Sequence, residues 1–319
     1  MIRVTNLTKR YGPVLAVDNI SFHVERGGVV GFLGPNGAGK STTIRILTCY
    51  LPATQGSASV AGFDVFRDSL EVRRRIGYLP ESTPLYPEMR VREYLHFRGK
   101  LRGMTYDERV GAIRKVVDRC WLGEFVDRPI GHLSKGMRQR VGLADAIMHD
   151  PEVLILDEPT IGLDPAQIRE TRNLIRELGE RHTVLLSSHI LSEVEQVCSR
   201  TIIIAAGRIV ASGSPQELRD QLAAKARVVA ELKAPTQDVE REAKAIPGVQ
   251  HVDVAASNGW VRVSIQPQPD RDVREDVYRL SKAKDWTLRE LKREGASLED
   301  FFVQVTARQS EARAAQPQA

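Results

Sequence analysis

Lys40 and Ser41 stand near the end of a glycine-rich run, Gly34-Pro35-Asn36-Gly37-Ala38-Gly39-Lys40-Ser41-Thr42. These residue types at this spacing suit one task, the gripping of phosphate. Gly34, Gly37 and Gly39 let the backbone curl so that successive N–H groups point inward at phosphate oxygens. A helix starting near Lys40 adds the positive end of its dipole. Lys40 supplies a mobile cation for β- and γ-phosphates, and the Ser41 hydroxyl can ligate Mg²⁺. Pro35, Asn36, Ala38, Thr42 and Thr43 complete the loop and the first turn. The run follows an apolar strand, Val29-Val30-Gly31-Phe32-Leu33, and precedes Thr43-Ile44-Arg45-Ile46-Leu47, which reads as a helix. Strand, glycine loop, Lys-Ser and helix is the P-loop order, which predicts binding of a nucleoside triphosphate.

A P-loop alone leaves kinases, GTPases and many ATPases open, and other segments narrow the choice. LILDEP at 154–159 ends an apolar run with two adjacent carboxylates. Asp157 at the strand tip can hold the Mg²⁺ shell beside Ser41. Glu158 then faces the γ-phosphate, where it can polarise an attacking water as general base. LSKGM at 133–137 opens a helix whose Val141, Ala144, Ile147 and Met148 recur at helical spacing and form its buried face. Ser134 is a good N-cap there, and Gly136 allows close approach to a helix N-terminus, which attracts phosphate.

The elements that position these groups read as layered α/β. The runs 153–156, 184–186 and 202–204 are continuously apolar, as in strands buried on both faces of a largely parallel sheet. Residues 2–4 and 20–24 alternate instead, which predicts half-exposed antiparallel strands, and 208–211 suits a hairpin partner for the 202–204 run. Between 88 and 150 the chain reads as a charged helical subdomain. Ser214-Pro215-Gln216-Glu217 carries a capping box with Pro at the first helical position. A second unit follows over 225–306, with strands at 227–233, 251–254, 260–265 and 286–291 and helices at 238–245 and 272–284. That order, β-α-β-β-α-β, predicts a small α+β ferredoxin-like sandwich. A last helix is expected at 297–305 and a disordered tail at 307–319, rich in Ala, Gln, Arg and Pro.

With 319 residues the chain is long enough for two domains. Hydrophobic content of 42% and charged content of 27% are ordinary for a soluble globular protein. A net charge of +5 is compatible with nucleotide, nucleic acid or an acidic membrane surface and selects none of them. Cys49, Cys120 and Cys198 are far apart without CxxC spacing, which predicts reduced thiols and no metal cluster. The opening MIRVTNLTKRYG has no apolar core of a secretory signal. No stretch reaches the ~20 apolar residues of a membrane span.

GPNGAGKST, LSKGMRQR, LILDEP, GLDP at 162–165 and LLSSH ending at His189 occur in this order. On these five motifs the region 1–222 resembles an ABC-type ATPase nucleotide-binding domain. The resemblance implies a mixed sheet with a helical signature subdomain, and ATP with Mg²⁺ as ligands. It implies that Tyr11 in LTKRYG stacks on adenine and that the loop from Gly34 to Thr43 holds the phosphates. Glu81 in GYLPE would stand at the Q-loop and serve the metal with Ser41 and Asp157. Ser134 and Gly136 would belong to the signature motif, Asp164 to the D-loop, and His189 would bond the γ-phosphate. Two departures stand out: the family commonly has Gln where this chain has Glu81, and LSGGQ where it has LSKGM. In this family the signature of one copy completes the P-loop site of another, so a homodimer or a related ATPase partner is implied.

The second unit, closing with LEDFFVQVT at 298–306, resembles the C-terminal extension of ATPase subunits from drug-efflux, sodium-efflux and gliding-motility exporters. That implies integral membrane permease subunits as partners, a cytoplasmic position on the inner face of the membrane, and no nucleic acid. Two other readings stand beside it. A soluble ABC ATPase acting on nucleic acid or ribosomes would carry paired nucleotide domains or coiled-coil inserts, and none is visible. A low-turnover regulatory switch would not need the general base that Glu158 provides.

Overall fold

The computed structural model describes residues 1–223, 227–268, 271–294 and 302, with the side chains of 220–223 excepted. The helix expected at 297–305 (Phe302 apart) and the tail at 307–319 lie outside the described residues. The chain divides into two compact units, Met1–Ser212 and Gly213–Ala319.

The first unit opens with β1 (Ile2–Tyr11) and β2 (Val14–Val24), an antiparallel pair in the register Ile2↔Val24, Val4↔Phe22 and Leu7↔Ile20. Ile2 and Val4 are buried while Arg3 and Thr5 are exposed, the alternation of a sheet wetted on one face. Bulges interrupt β1 after Val4 and after Leu7, and Asn6 between them has φ 49°. Next come β3 (Val29–Leu33), α1 (Lys40–Leu47), β4 (Gln55–Val60), β5 (Phe63–Asp64), α2 (Ser69–Arg75) and β6 (Ile76–Leu79). The helical stretch expected between 88 and 150 contains α3 (Val91–Leu101), α4 (Tyr106–Arg119) and α5 (Lys135–Ile147). The unit finishes with β7 (Val153–Asp157), α6 (Pro165–Gly179), β8 (Thr183–Ser188), α7 (Leu191–Val197), β9 (Arg200–Ala205) and β10 (Arg208–Gly213), whose last residue lies just past the division.

Among the described residues, β2-β1-β4-β5 form an antiparallel sheet and β10-β9-β3-β8-β7-β6 a second, in which β9, β3, β8, β7 and β6 run parallel. Every residue of β3, β7 and β8 is buried, which is why 29–33, 153–156 and 184–186 are unbroken apolar runs, while Asp157, Thr183, Ser187 and Ser188 are polar residues buried at the strand ends. The carboxyl ends of β3, β7 and β8 lie side by side in register, Leu33 with Ser188 and Asp157 with Ser187. Three motifs far apart in sequence therefore meet at one edge of the sheet, where open α/β sheets bind ligands. The helical region is tied by a partly buried ion pair: Arg98 Nε of α3 donates to both oxygens of Asp145 on α5 at 3.0 and 2.9 Å.

The second unit begins with α8 (Pro215–Ala223), capped as its sequence predicts: Ser214 N–H donates to Glu217 at 2.8 Å and Glu217 N–H to Ser214 Oγ at 3.1 Å. It continues with β11 (Arg227–Lys233), α9 (Thr236–Ala245), β12 (Val249–Ser257), β13 (Trp260–Pro267), α10 (Arg274–Ala283) and β14 (Thr287–Glu294). The strands pair antiparallel in the order β12-β13-β11-β14, the ferredoxin-like arrangement. Val228, Ala230 and Leu232 of β11 and Val261, Val263 and Ile265 of β13 share a core with Val239, Ala243 and Val277 from the helices.

Candidate active site

The loop between β3 and α1 is held at both ends. Gly34 N–H donates to the Ser188 carbonyl at 3.2 Å, and Ala38 N–H donates to Pro35 O at 3.1 Å. Gly39 turns the chain into α1 with φ 108°, and a Cβ there would stand 2.7 Å from the Ala16 carbonyl, so only glycine serves. It offers no side-chain cap to the helix, leaving the first N–H groups of α1 facing the loop. Asn36 and Gly37 form the exposed crest, while Gly34, Pro35 and Ala38 are buried. Thr43 is buried and its hydroxyl donates to the Gly39 carbonyl at 2.9 Å, while Ser41 and Thr42 are half-buried. Lys40 is 5% exposed; its Nζ donates to Gly34 O at 2.7 Å and Pro35 O at 3.3 Å and lies 3.4 Å from Glu158 Oε1.

Asp157 and Glu158 leave the end of β7 in different surroundings. Ser187 Oγ of β8 donates to Asp157 Oδ1 at 2.5 Å, and the Ser41 hydroxyl donates to the same carboxylate. Burial raises the Asp157 carboxyl pKa above its ordinary value, against the lowering effect of those two hydroxyls; nearby Glu81 raises it further and Lys40 opposes. Glu158 takes up the left-handed backbone region at φ 50°, which few non-glycine residues adopt. Its N–H donates to Ser187 Oγ at 3.0 Å, which holds the turn. Its carboxylate bridges two partners, Lys40 on one oxygen and His189 Nδ1 at 2.9 Å on the other. Glu158 is buried, whereas His189 is partly open to solvent.

The oxygen set formed by Ser41, Asp157 and the exposed Glu81 suits Mg²⁺, which takes one or two carboxylates and leaves its other positions to water and phosphate. Among the described residues there is no group of three His, Cys, Asp or Glu that could hold a metal ion.

Tyr11 closes β1 beside Val14, both exposed, with Lys9 Nζ 5.2 Å from the ring centroid. Ser134 is the N-cap of α5 and its hydroxyl accepts from Met137 N–H at 3.2 Å. Gly136 differs from its expected place on an open terminus: it is buried, and a Cβ there would meet Gln167 Oε1 at 2.7 Å and Leu163 Cδ2 at 3.1 Å. Its small size serves packing against α6 of the same chain. Lys135 lays its stem against Gly162, and Asp164 caps α6 by accepting from Ala166 and Gln167 N–H at 3.0 and 2.9 Å. Ser187 and Ser188 lie inside the quoted LLSSH motif and Thr160 immediately follows LILDEP, and none of them carried an expected role. Glu193 gave no signal at all, since a carboxylate in a short amphipathic helix reads as solvent-facing.

A phosphate cradle, a lysine, a metal-suited Ser-Asp pair and a carboxylate bonded to a histidine thus share one sheet edge. The profile of the ABC transporter family matches residues 17–161. Over 212 residues the chain is 41% identical to the bacitracin transport ATP-binding protein BcrA of Bacillus licheniformis, covering 66% of this chain and 68% of that protein. The chain belongs to the ABC transporter ATP-binding family. A second relative, the Nod factor export ATP-binding protein I of Burkholderia lata, is 33% identical over 311 residues and covers 95% of this chain and 96% of its own length. Among solved structures, a dimeric ATP-binding cassette in a post-hydrolysis state with ADP and Pi superposes with a TM-score of 0.62 at 25% identity, over 67% of this chain and 98% of that one. The present chain is an ATP-binding, ATP-hydrolysing subunit of an ABC transporter. Among the described residues no helix is long and apolar enough to cross a membrane.

Proposed function

We propose that this cassette works from the inner face of the membrane, paired with a second copy or a related ATPase chain, and drives export through separate permease subunits. The observation that carries the reading is the Glu158 carboxylate, held between Lys40 and His189 above the P-loop. Tyr11 stacks on adenine, and the loop from Gly34 to Thr43 takes the phosphates, with Lys40 turning from the loop carbonyls to the β- and γ-oxygens. Ser41, Asp157 and Glu81 would hold Mg²⁺, which would supply charge to offset that of the phosphates. Glu158 accepts the proton of the attacking water, and His189 orients that carboxylate and bonds the γ-phosphate. Ser134 and Gly136 of the second copy close the site. Similarity to an export ATPase along nearly the whole chain, second unit included, supports the direction of transport.

The segment 82–89 is the docking surface we assign to the permease. Its apolar side chains are not all spare: Tyr86, 46% exposed, packs its ring against Tyr94 and Phe97 at centroid distances of 6.2 and 5.7 Å. Tyr86 in this loop is therefore not a spare surface aromatic. It also gives the loop a fixed shape, and aromatic anchors held in place make good interface residues. Leu85→Asp is expected to leave the ATPase rate of the isolated cassette within about 2-fold while abolishing cosedimentation with membranes carrying the permease. Unchanged cosedimentation would move docking away from this segment.

A further inference from the structure

Glu193 is a buried carboxylate to which the hydrolytic reading gives no task. It sits in the first turn of α7, four residues past His189, and is 6% exposed. Its Oε2 accepts from Thr160 Oγ1 at 2.8 Å and lies 3.4 Å from Ser188 Oγ, and its Oε1 lies 3.3 Å from Arg172 Nη2 of α6. Arg172 is fixed in turn by Gln196 at 2.7 Å. Taking a carboxylate out of water is costly unless it is paired and hydrogen-bonded, and an apolar side chain of similar volume would commonly stabilise such a site as well or better. Packing alone therefore does not account for a carboxylate at this point.

Its partners do. Thr160 belongs to the turn that follows Glu158, closed by Ile161 N–H donating to Glu158 O at 3.2 Å. Ser188 immediately precedes His189, its hydroxyl accepts from Ile190 N–H at 3.0 Å, and its carbonyl accepts from Gly34 of the P-loop. One carboxylate thus fastens the segment after the general base to the segment before the histidine. We infer that Glu193 is a positioning residue for hydrolysis, fixing Glu158 and His189 relative to each other and to the P-loop through Thr160 and Ser188. It acts through these two residues and not on the reacting atoms themselves. The inference rests on the reading of Glu158 and His189 as the hydrolytic pair. Glu158 needs such support because its backbone occupies the left-handed region, a conformation that persists only where its surroundings impose it.

Steady-state ATPase kinetics on Glu193→Ala, Thr160→Val, Glu193→Gln and the Glu193→Ala/Thr160→Val double variant test this, with Glu158→Gln as reference and melting temperature recorded for each. Small misplacement of a reacting group costs rate steeply, so Glu193→Ala and Thr160→Val should each lower kcat about 10-fold or more. KM for ATP should stay within about 2-fold, because the P-loop contacts are unchanged. Glu193→Gln keeps an oxygen that accepts from Thr160 and should restore kcat to within about 3-fold of the parent. The double variant should be no slower than Glu193→Ala, the signature of one shared contact. Thr160→Val is nearly isosteric and keeps the test alive where Glu193→Ala misfolds. Parental kcat in Thr160→Val and Glu193→Ala, or losses that simply multiply in the double variant, would overturn the inference while an inactive Glu158→Gln left the hydrolytic reading standing. A Glu158→Gln chain with parental turnover would instead remove the reading beneath it.

Discussion

Two helices of the first unit begin beside glycines in motifs expected to meet phosphate, and their N-termini are finished in different ways. At α1 the N-cap is Gly39, which brings no side-chain acceptor, and the first helical residue is the buried Lys40. At α5 the N-cap is Ser134, whose hydroxyl already accepts from Met137 N–H, and Gly136 is packed against Gln167 and Leu163. The first terminus opens into a site that holds its own cation, its own base and its own metal-suited pair. The second shows Ser134 and Lys135 on the surface and is braced from behind by the GLDP segment and α6. A terminus that opens onto its own chain's cation and base and one presented on a braced surface are what the proposed site shared between two chains requires. Substitutions on the two sides should therefore separate nucleotide binding from turnover.

The largest effect belongs to Glu158→Gln. The amide keeps the shape of the side chain, so ATP binding should persist while turnover falls by about 10²–10⁴-fold, the loss typical of a missing general base. Phosphate release at saturating ATP, with equilibrium binding measured alongside, checks both halves, and parental turnover would remove Glu158 from the chemistry. Lys40→Ala strikes binding itself. Removing the cation proposed to meet the phosphates, and leaving Glu158 only His189 as partner, should weaken ATP affinity by about 10²-fold or more; titration with a fluorescent nucleotide reads it, and an unchanged affinity would deny Lys40 its role. Gly136→Asp acts on the presented side. It forces a charged side chain against Gln167 and Leu163 and so displaces the presented N-terminus of α5, and turnover should fall about 10-fold or more while the affinity of the single chain stays unchanged. Gly136→Ala is its control, adding the same Cβ beside Gln167 without the charge. Mixing the inactive Lys40→Ala and Gly136→Asp chains should restore activity, since one of the two shared sites then has an intact loop facing an intact α5. No recovery, together with normal hydrolysis by Gly136→Asp alone, would contradict shared sites.

What the sequence made legible followed how local each signal was. The P-loop, the buried strands and the capped helix at Pro215–Ala223 are written in contiguous residues, and their physics is local: apolar runs, a capping box, a glycine at φ 108°. The β-α-β-β-α-β order of the second unit could be read because each strand alternates or runs apolar along its own length. Long-range packing was not legible. Gly136 reads as open space for a ligand until α6 is seen against it, Tyr86 as a spare aromatic until Tyr94 and Phe97 are found beneath it. Glu193 reads as solvated until Thr160, Ser188 and Arg172 are brought around it by three different elements. The left-handed backbone of Glu158 likewise has no mark in its own sequence, since it is imposed by Ser187 from the neighbouring strand.

The shared site is tested most directly by the mass of the Glu158→Gln chain in solution. Size-exclusion with light scattering, run with and without ATP in Mg²⁺ buffer, should show a monomer in the absence of nucleotide and a stable dimer in its presence, because ATP that is bound and not hydrolysed holds the two faces together. A chain that stays monomeric while saturated with ATP would contradict the account.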